Sequence, residues 1–130
     1  ELAVLSNKPH KQAVHVVETI FGSGYFRQIR GQQEGIPRKP DPTAVLQIAE
    51  ILHAKPEEVL YVGDSEVDVA TGNAANMKTV GVTWGFRSRE ALRAAGDRKR
   101  SLQWHVIRDD FRIDEQGTLS FTLTLKKDKE

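Results

Sequence analysis

Val59-Leu60-Tyr61-Val62-Gly63-Asp64-Ser65-Glu66-Val67-Asp68 is the stretch whose reading decides the fold. Its first four residues are strand formers, and Gly63-Asp64 breaks the run. A helix follows over residues 67–76. A short apolar strand ending in polar residues and turning into a helix is half of a parallel strand–helix unit. In such folds ligands bind beyond the carboxyl ends of the strands, where Asp64 sits.

The same alternation runs outward in both directions. Upstream, residues 2–5 read as a buried strand and Ser6-Asn7-Lys8-Pro9 as the loop at its end. Ala13, Val14, Val16, Val17, Ile20 and Phe21 recur at helical spacing over residues 10–21, and Gly22-Ser23-Gly24 stops that helix. A short strand is expected around residues 27–30, then a polar loop to Asp41. Pro42 suits a first helical turn with Asp41 as its cap. That helix reaches His53, with Val45, Leu46, Ile48, Ala49 and Leu52 on its core face. Downstream, residues 78–83 read as a strand and 88–95 as a short helix. The pattern predicts an α/β fold: a three-layer, Rossmann-like parallel sheet, incomplete, with a C-terminal β-hairpin added.

Residues 1–96 read as this partial core and 97–130 as an atypical tail. Within the tail, Trp104 to Ile107 and Leu119 to Leu125 alternate at period two around Asp114-Glu115-Gln116-Gly117, which reads as a hairpin turn. The chain has 130 residues, enough for one modest core, and a net charge of +1. That balance gives no case for nucleic acid or an anionic membrane as partner. No apolar run reaches the ~20 residues of a membrane helix. There is no cysteine, which excludes disulfides and thiolate chemistry and fits a reducing, cytoplasmic setting. The chain starts without Met inside a strand, so upstream sequence is expected to be missing.

Three features could carry chemistry. Asp64 and Asp68 lie four residues apart, one at a strand end and one in a first helical turn, so both approach one pocket. Hard oxygen ligands of this kind suit magnesium; acids in a first helical turn also simply complement the helix dipole. Ser6 and Asn7, at a strand end, could hold phosphoryl oxygens, or could form an ordinary turn. Lys39, in the stiff loop Arg38-Lys39-Pro40-Asp41-Pro42, could act as a point charge on phosphate, or could be a solvated cation. His10, His15, His53 and His105 are scattered without ligand spacing, and Trp84 and Phe86 read as packing or loop residues.

Taken in order, a strand ending in Ser-Asn, Lys-Pro-Asp-Pro opening a helix, and Val-Gly-Asp-Ser-X-X-Asp after a strand resemble the haloacid dehalogenase superfamily of phosphohydrolases. Within it the chain looks most like the phosphoglycolate phosphatase group. The likeness spans residues 2–92 and is closest in style from Tyr61 to Arg87, including Asn73-Ala74-Ala75-Asn76 and Trp84-Gly85-Phe86-Arg87. The resemblance implies a magnesium-dependent phosphomonoester hydrolase working through an aspartyl phosphate. It implies that Ser6, with Asn7, hydrogen-bonds the transferring phosphoryl group. It implies that Lys39 offsets charge on nucleophile and phosphate, that Asp64 binds Mg2+, and that Asp68 completes or supports the metal site. The implied substrate is a small phosphorylated metabolite, 2-phosphoglycolate by this likeness.

Two departures stand out. The family's Asp-X-Asp-Gly-Thr motif, which carries the nucleophile and the general acid/base, occurs nowhere in the chain, and neither does the helical cap. Asp109-Asp110 has the wrong spacing and is followed by Phe-Arg. The chain alone is therefore expected to be inactive, and its open strand edges to favour self-association. Rival readings are a non-catalytic remnant that binds phosphate, metal or another chain, and a sister enzyme such as a hexose-phosphate mutase or pyrophosphatase.

Overall fold

The computed structural model describes residues 1–82, 85, 87–96, 103–113, 115 and 119–127. In chain order the elements are β1 (Ala3–Pro9), α1 (His10–Phe21), β2 (Gln28–Gln32), α2 (Thr43–Ile51), a 3-10 turn (Pro56–Glu58), β3 (Leu60–Gly63), α3 (Glu66–Ala74), β4 (Lys78–Gly81), α4 (Arg89–Gly96), β5 (Gln103–Ile113) and β6 (Leu119–Lys127).

The strands form two sheets. β1 pairs with β2 in parallel, Ala3 to Leu5 opposite Gln28 to Arg30. The second sheet has the order β3-β4-β5-β6. There β3 and β4 are parallel, as are β4 and β5, and β5 and β6 form an antiparallel hairpin. The expected hairpin is thus present, and it continues the parallel sheet through Thr79 to Gly81 opposite Gln103 to His105. Most of its turn, Asp114, Gln116 and Gly117, lies outside the described residues, as do Thr83, Trp84 and Phe86.

One cluster holds the site-bearing elements together. Val45 and Ala49 of α2, Tyr61 of β3, and Ala75 and Met77 after α3 are buried, with Leu5 of β1 and Val59 packed against them. Burying a Val or Met side chain such as Val45 or Met77 contributes about 1.5–3 kcal/mol. β4 is well enclosed: Thr79 and Val80 are fully buried, and Leu92 of α4 packs beside Gly81.

Three local expectations need correction. Ser6 and Asn7 do not follow the first strand but lie inside β1, which runs on to Pro9 with a break in register after Leu5. The polarity of the run suggests a loop; the strand continues because β2 still offers pairing at Gln32 opposite Pro9. Leu46 does not face the core; it is exposed, and Ala44 takes the buried place. Finally, α2 starts one residue late. Pro42 holds a helical backbone at the N-cap position, and the Asp41 carboxylate accepts the Thr43 amide at 2.8 Å.

Candidate functional site

The site is assembled at the carboxyl ends of β1 and β3. Lys39 is its hinge. The Asn7 side chain clamps the Lys39 backbone from both directions: its Nδ2 donates to the Lys39 carbonyl at 3.2 Å, and its Oδ1 accepts the Lys39 amide at 3.0 Å. This fixes the loop after β2 against β1. The Lys39 ammonium then reaches across to α3 and donates to Asp68 Oδ1 at 2.6 Å. Both side chains of that ion pair are only 11% exposed, so the pair is largely removed from solvent.

Asp68 is saturated with donors. Besides Lys39, its Oδ1 faces the Tyr61 hydroxyl at 3.4 Å, and its Oδ2 accepts the Ser65 hydroxyl at 2.9 Å and the Asp64 amide at 3.2 Å. Burial pushes its carboxyl up, but the Lys39 ammonium, the Ser65 hydroxyl and the Asp64 amide together outweigh this and hold it below the usual range. The same burial, with the Asp68 charge nearby, pushes the Tyr61 phenol well above its ordinary value, so it remains a neutral donor. Ser65 also caps α3, its Oγ accepting the Asp68 amide at 3.3 Å.

Asp64 is different. Its carboxylate has no hydrogen-bond or ion-pair partner among the described residues, and only its amide is engaged, by Asp68. Two glycines make room for these carboxylates. A Cβ on Gly63 would run into the Asp68 side chain, and one on Gly85 would run into the Asp64 carboxylate. The backbone at Gly85 therefore lies directly against Asp64.

Of the residues singled out from sequence, the structure joins Asn7, Lys39 and Asp68 in one bonded chain and ties the Asp64 backbone to it. Ser6 stands beside Asn7 on β1, but its Oγ accepts the Lys8 amide at 3.1 Å, and no bond links it to the others. Sequence reasoning missed Tyr61, Ser65, Gly63 and Gly85. Ser65 had a readable signal, since a Ser three residues before an acid at a helix start is a capping pattern. Tyr61 and Gly85 had none, because their roles depend on long-range packing.

Magnesium fits this donor set to a limited degree. Among the described residues no group of three or more His, Cys, Asp or Glu side chains could hold a metal. Magnesium needs less than that: it keeps several waters and takes one or two protein carboxylates plus substrate phosphate. Asp64, with its oxygens uncommitted, is the carboxylate that could serve.

Comparison with known proteins agrees with this architecture. Residues 1–82 match the model of the haloacid dehalogenase-like hydrolases, and the chain belongs to that family. It is 40% identical over 86 residues to the phosphoglycolate phosphatase of Aquifex aeolicus, covering 66% of this chain and 40% of that protein. It is 34% identical over 86 residues to the phosphoglycolate phosphatase of Pseudomonas putida KT2440, covering 32% of that protein. Among solved structures it is similar to a candidate phosphoglycolate phosphatase from Lactobacillus delbrueckii subsp. bulgaricus, with a TM-score of 0.69 and 38% identity over 74% of this chain and 40% of the other. A candidate β-phosphoglucomutase from Thermotoga maritima matches with a TM-score of 0.68 and 25% identity, covering 82% and 47%. The chain spans less than half the length of each of these relatives.

Proposed function

We propose that this chain carries the metal- and phosphoryl-binding part of a magnesium-dependent phosphomonoester hydrolase of the phosphoglycolate phosphatase type. The observation that carries the reading is the Asn7–Lys39–Asp68 chain. It places a fixed cation between the ends of β1 and β3 and leaves the Asp64 carboxylate uncommitted beside it. A phosphate monoester is an anion whose transfer needs positive charge at its equatorial oxygens.

In this reading each residue has a limited task. Lys39 supplies positive charge held in place from both ends. Ser6 offers a hydroxyl on β1, and Asn7 acts through its two bonds to the Lys39 backbone, which hold that residue in place. Asp64 would hold magnesium, which supplies charge neutralisation at the phosphoryl oxygens when bound. Asp68 supports the site rather than ligating, because each of its oxygens already receives two donors. The attacking carboxylate, expected by family resemblance to pass through an aspartyl phosphate, is not among these residues. A small phosphorylated metabolite such as 2-phosphoglycolate is the proposed substrate, and the relatives named above support that choice.

The test is phosphate release from 2-phosphoglycolate with Mg2+ by the purified 130-residue chain. No turnover above the blank is expected. Turnover that disappears in Asp64→Ala would mean that the chain contains its own attacking group, and the reading would fail.

A further inference from the structure

β6 closes the second sheet, and its outer edge has no strand partner among the described residues. Only one end of the β5–β6 hairpin is braced. β4 meets β5 at Gln103, Trp104 and His105, and the last two of these lie opposite Lys127 and Lys126 of β6. Residues 106–113 and their partners 119–125 run on past β4 as a two-stranded ribbon among the described residues. Such a ribbon is marginal by itself, and independent stability takes three or more strands or a packed face.

Edge strands are usually blunted by Pro, by charge or by a bulge. The segment Leu119-Ser120-Phe121-Thr122-Leu123-Thr124-Leu125 contains neither Pro nor a charged residue. The irregularity in the hairpin falls on the other strand. Val106 pairs with Leu125 and Arg108 with Thr124, so Ile107 is the extra residue of β5 and β6 runs through unbroken. The segment is also its own complement. Leu119, Phe121, Leu123 and Leu125 occupy one face of β6, and Ser120, Thr122 and Thr124 the other. Place a second copy antiparallel to it, with the two-fold axis through Thr122. Leu119 then stands opposite Leu125, Phe121 opposite Leu123, and Ser120 opposite Thr124. Every pair is apolar on apolar or hydroxyl on hydroxyl, and Lys126 and Lys127 fall beyond the paired stretch, so no like charges are opposed. A slip of one residue would set apolar against polar positions, and an axis through Leu123 would set Lys127 against Leu119.

We infer that the chain forms a two-fold dimer in which residues 119–125 of β6 pair antiparallel with the same residues of a second copy. The contact is isologous and closes on itself, so it ends at two copies. It turns two marginal ribbons into one four-stranded stretch, β5-β6-β6-β5, and satisfies the open backbone groups of both edges. The residues that gain a new strand neighbour are the same ones that β4 leaves unsupported. This interface rests on sheet topology and on the symmetry of one segment, and it is independent of the phosphatase reading.

The experiment is sedimentation of the full 130-residue chain over a range of concentrations, where a monomer–dimer equilibrium is expected. Thr122→Lys sets two ammonium groups against each other on the axis. Within its own chain position 122 lies opposite Asp110, so the same change adds an opposite charge there and keeps the hairpin. The dimer should weaken ~10-fold or more, and an equimolar mixture of the Thr122→Lys and Thr122→Glu chains should recover it as a heterodimer. Register is read by single cysteines, since the chain has none of its own. With diamide as oxidant, Thr122→Cys should link two copies, because directly opposed Cα atoms stand about 4.5–5.5 Å apart, within disulfide reach. Ser120→Cys and Thr124→Cys should not, because each lies four residues, roughly 13–14 Å along the strand, from its equivalent in the other copy. If Thr122→Lys does not fold, the cysteine series decides alone. A chain that stays monomeric, a dimer that Thr122→Lys leaves as tight as wild type, or linking at 120 or 124 as efficient as at 122 overturns the inference.

Discussion

Replacing Lys39 by Met removes the ammonium from a pair in which both side chains are 11% exposed. Two limits bracket the cost. An exposed ion pair contributes at most about 1 kcal/mol. Removing one partner of a buried pair costs about 3–5 kcal/mol, because the other charge stays buried and uncompensated. The small exposure selects the second limit. Asp68 still keeps the Ser65 hydroxyl and the Asp64 amide as donors, which favours its lower end, near 3 kcal/mol. For a chain of this size that corresponds to a fall in Tm of roughly 12 °C. The assay is a double-mutant cycle of Lys39→Met and Asp68→Asn by urea and thermal unfolding. The double variant buries neither charge and should lose about 2–3 kcal/mol less than the sum of the single losses. A Lys39→Met cost below about 1 kcal/mol, or additive losses, would refute the claim that this pair is the buried hinge of the site.

Two further outcomes follow from the same geometry. The Asp68 carboxyl is held below its ordinary value, so its contribution to stability is present above the unfolded value of about 3.9 and is lost as pH falls through the folded value. Tm measured from about pH 6 down to about pH 2.5 should drop below about pH 4, and Lys39→Met should flatten that drop. Gly85→Ala forces a methyl against the Asp64 carboxylate. Displacing that group at about 1–3 kcal/mol should weaken Mg2+ binding ~10-fold or more by calorimetry, and unchanged affinity would remove Asp64 from the metal site.

Much of this architecture is legible in the chain itself, for specific reasons. The run ending at Gly63-Asp64 reads as a strand because four consecutive strand formers are stopped by a turn pair, and β3 ends at Gly63. α1 is legible from helical spacing and from Gly22, whose φ of 85° ends it. The hairpin of β5 and β6 is legible from period-two alternation, but its joining to β4 is not, since register between distant segments leaves no local mark. In the site, residue types and order pointed to Asn7, Lys39, Asp64 and Asp68. What spacing alone does not separate is the division of work between the two carboxylates, which only the family resemblance distinguishes. Spacing makes Asp64 and Asp68 look equivalent. The fold spends one on Lys39, Ser65 and the Asp64 amide, and leaves the other with open oxygens. Tyr61 reads as a strand residue like its neighbours; only packing turns its hydroxyl toward Asp68.

The central claim is that these residues form one magnesium and phosphate site without an attacking group. It is tested most directly by titrating the isotope-labelled 130-residue chain with Mg2+ and then inorganic phosphate, following backbone and side-chain NMR signals. The account predicts that Mg2+ shifts Asp64 and the Gly85 amide while leaving the Lys39–Asp68 contact in place. Phosphate should then shift Ser6, Asn7 and Lys39, and only when Mg2+ is present should its binding be at its tightest. Shifts scattered over the surface, or phosphate binding that leaves Ser6, Asn7 and Lys39 unmoved, would contradict it.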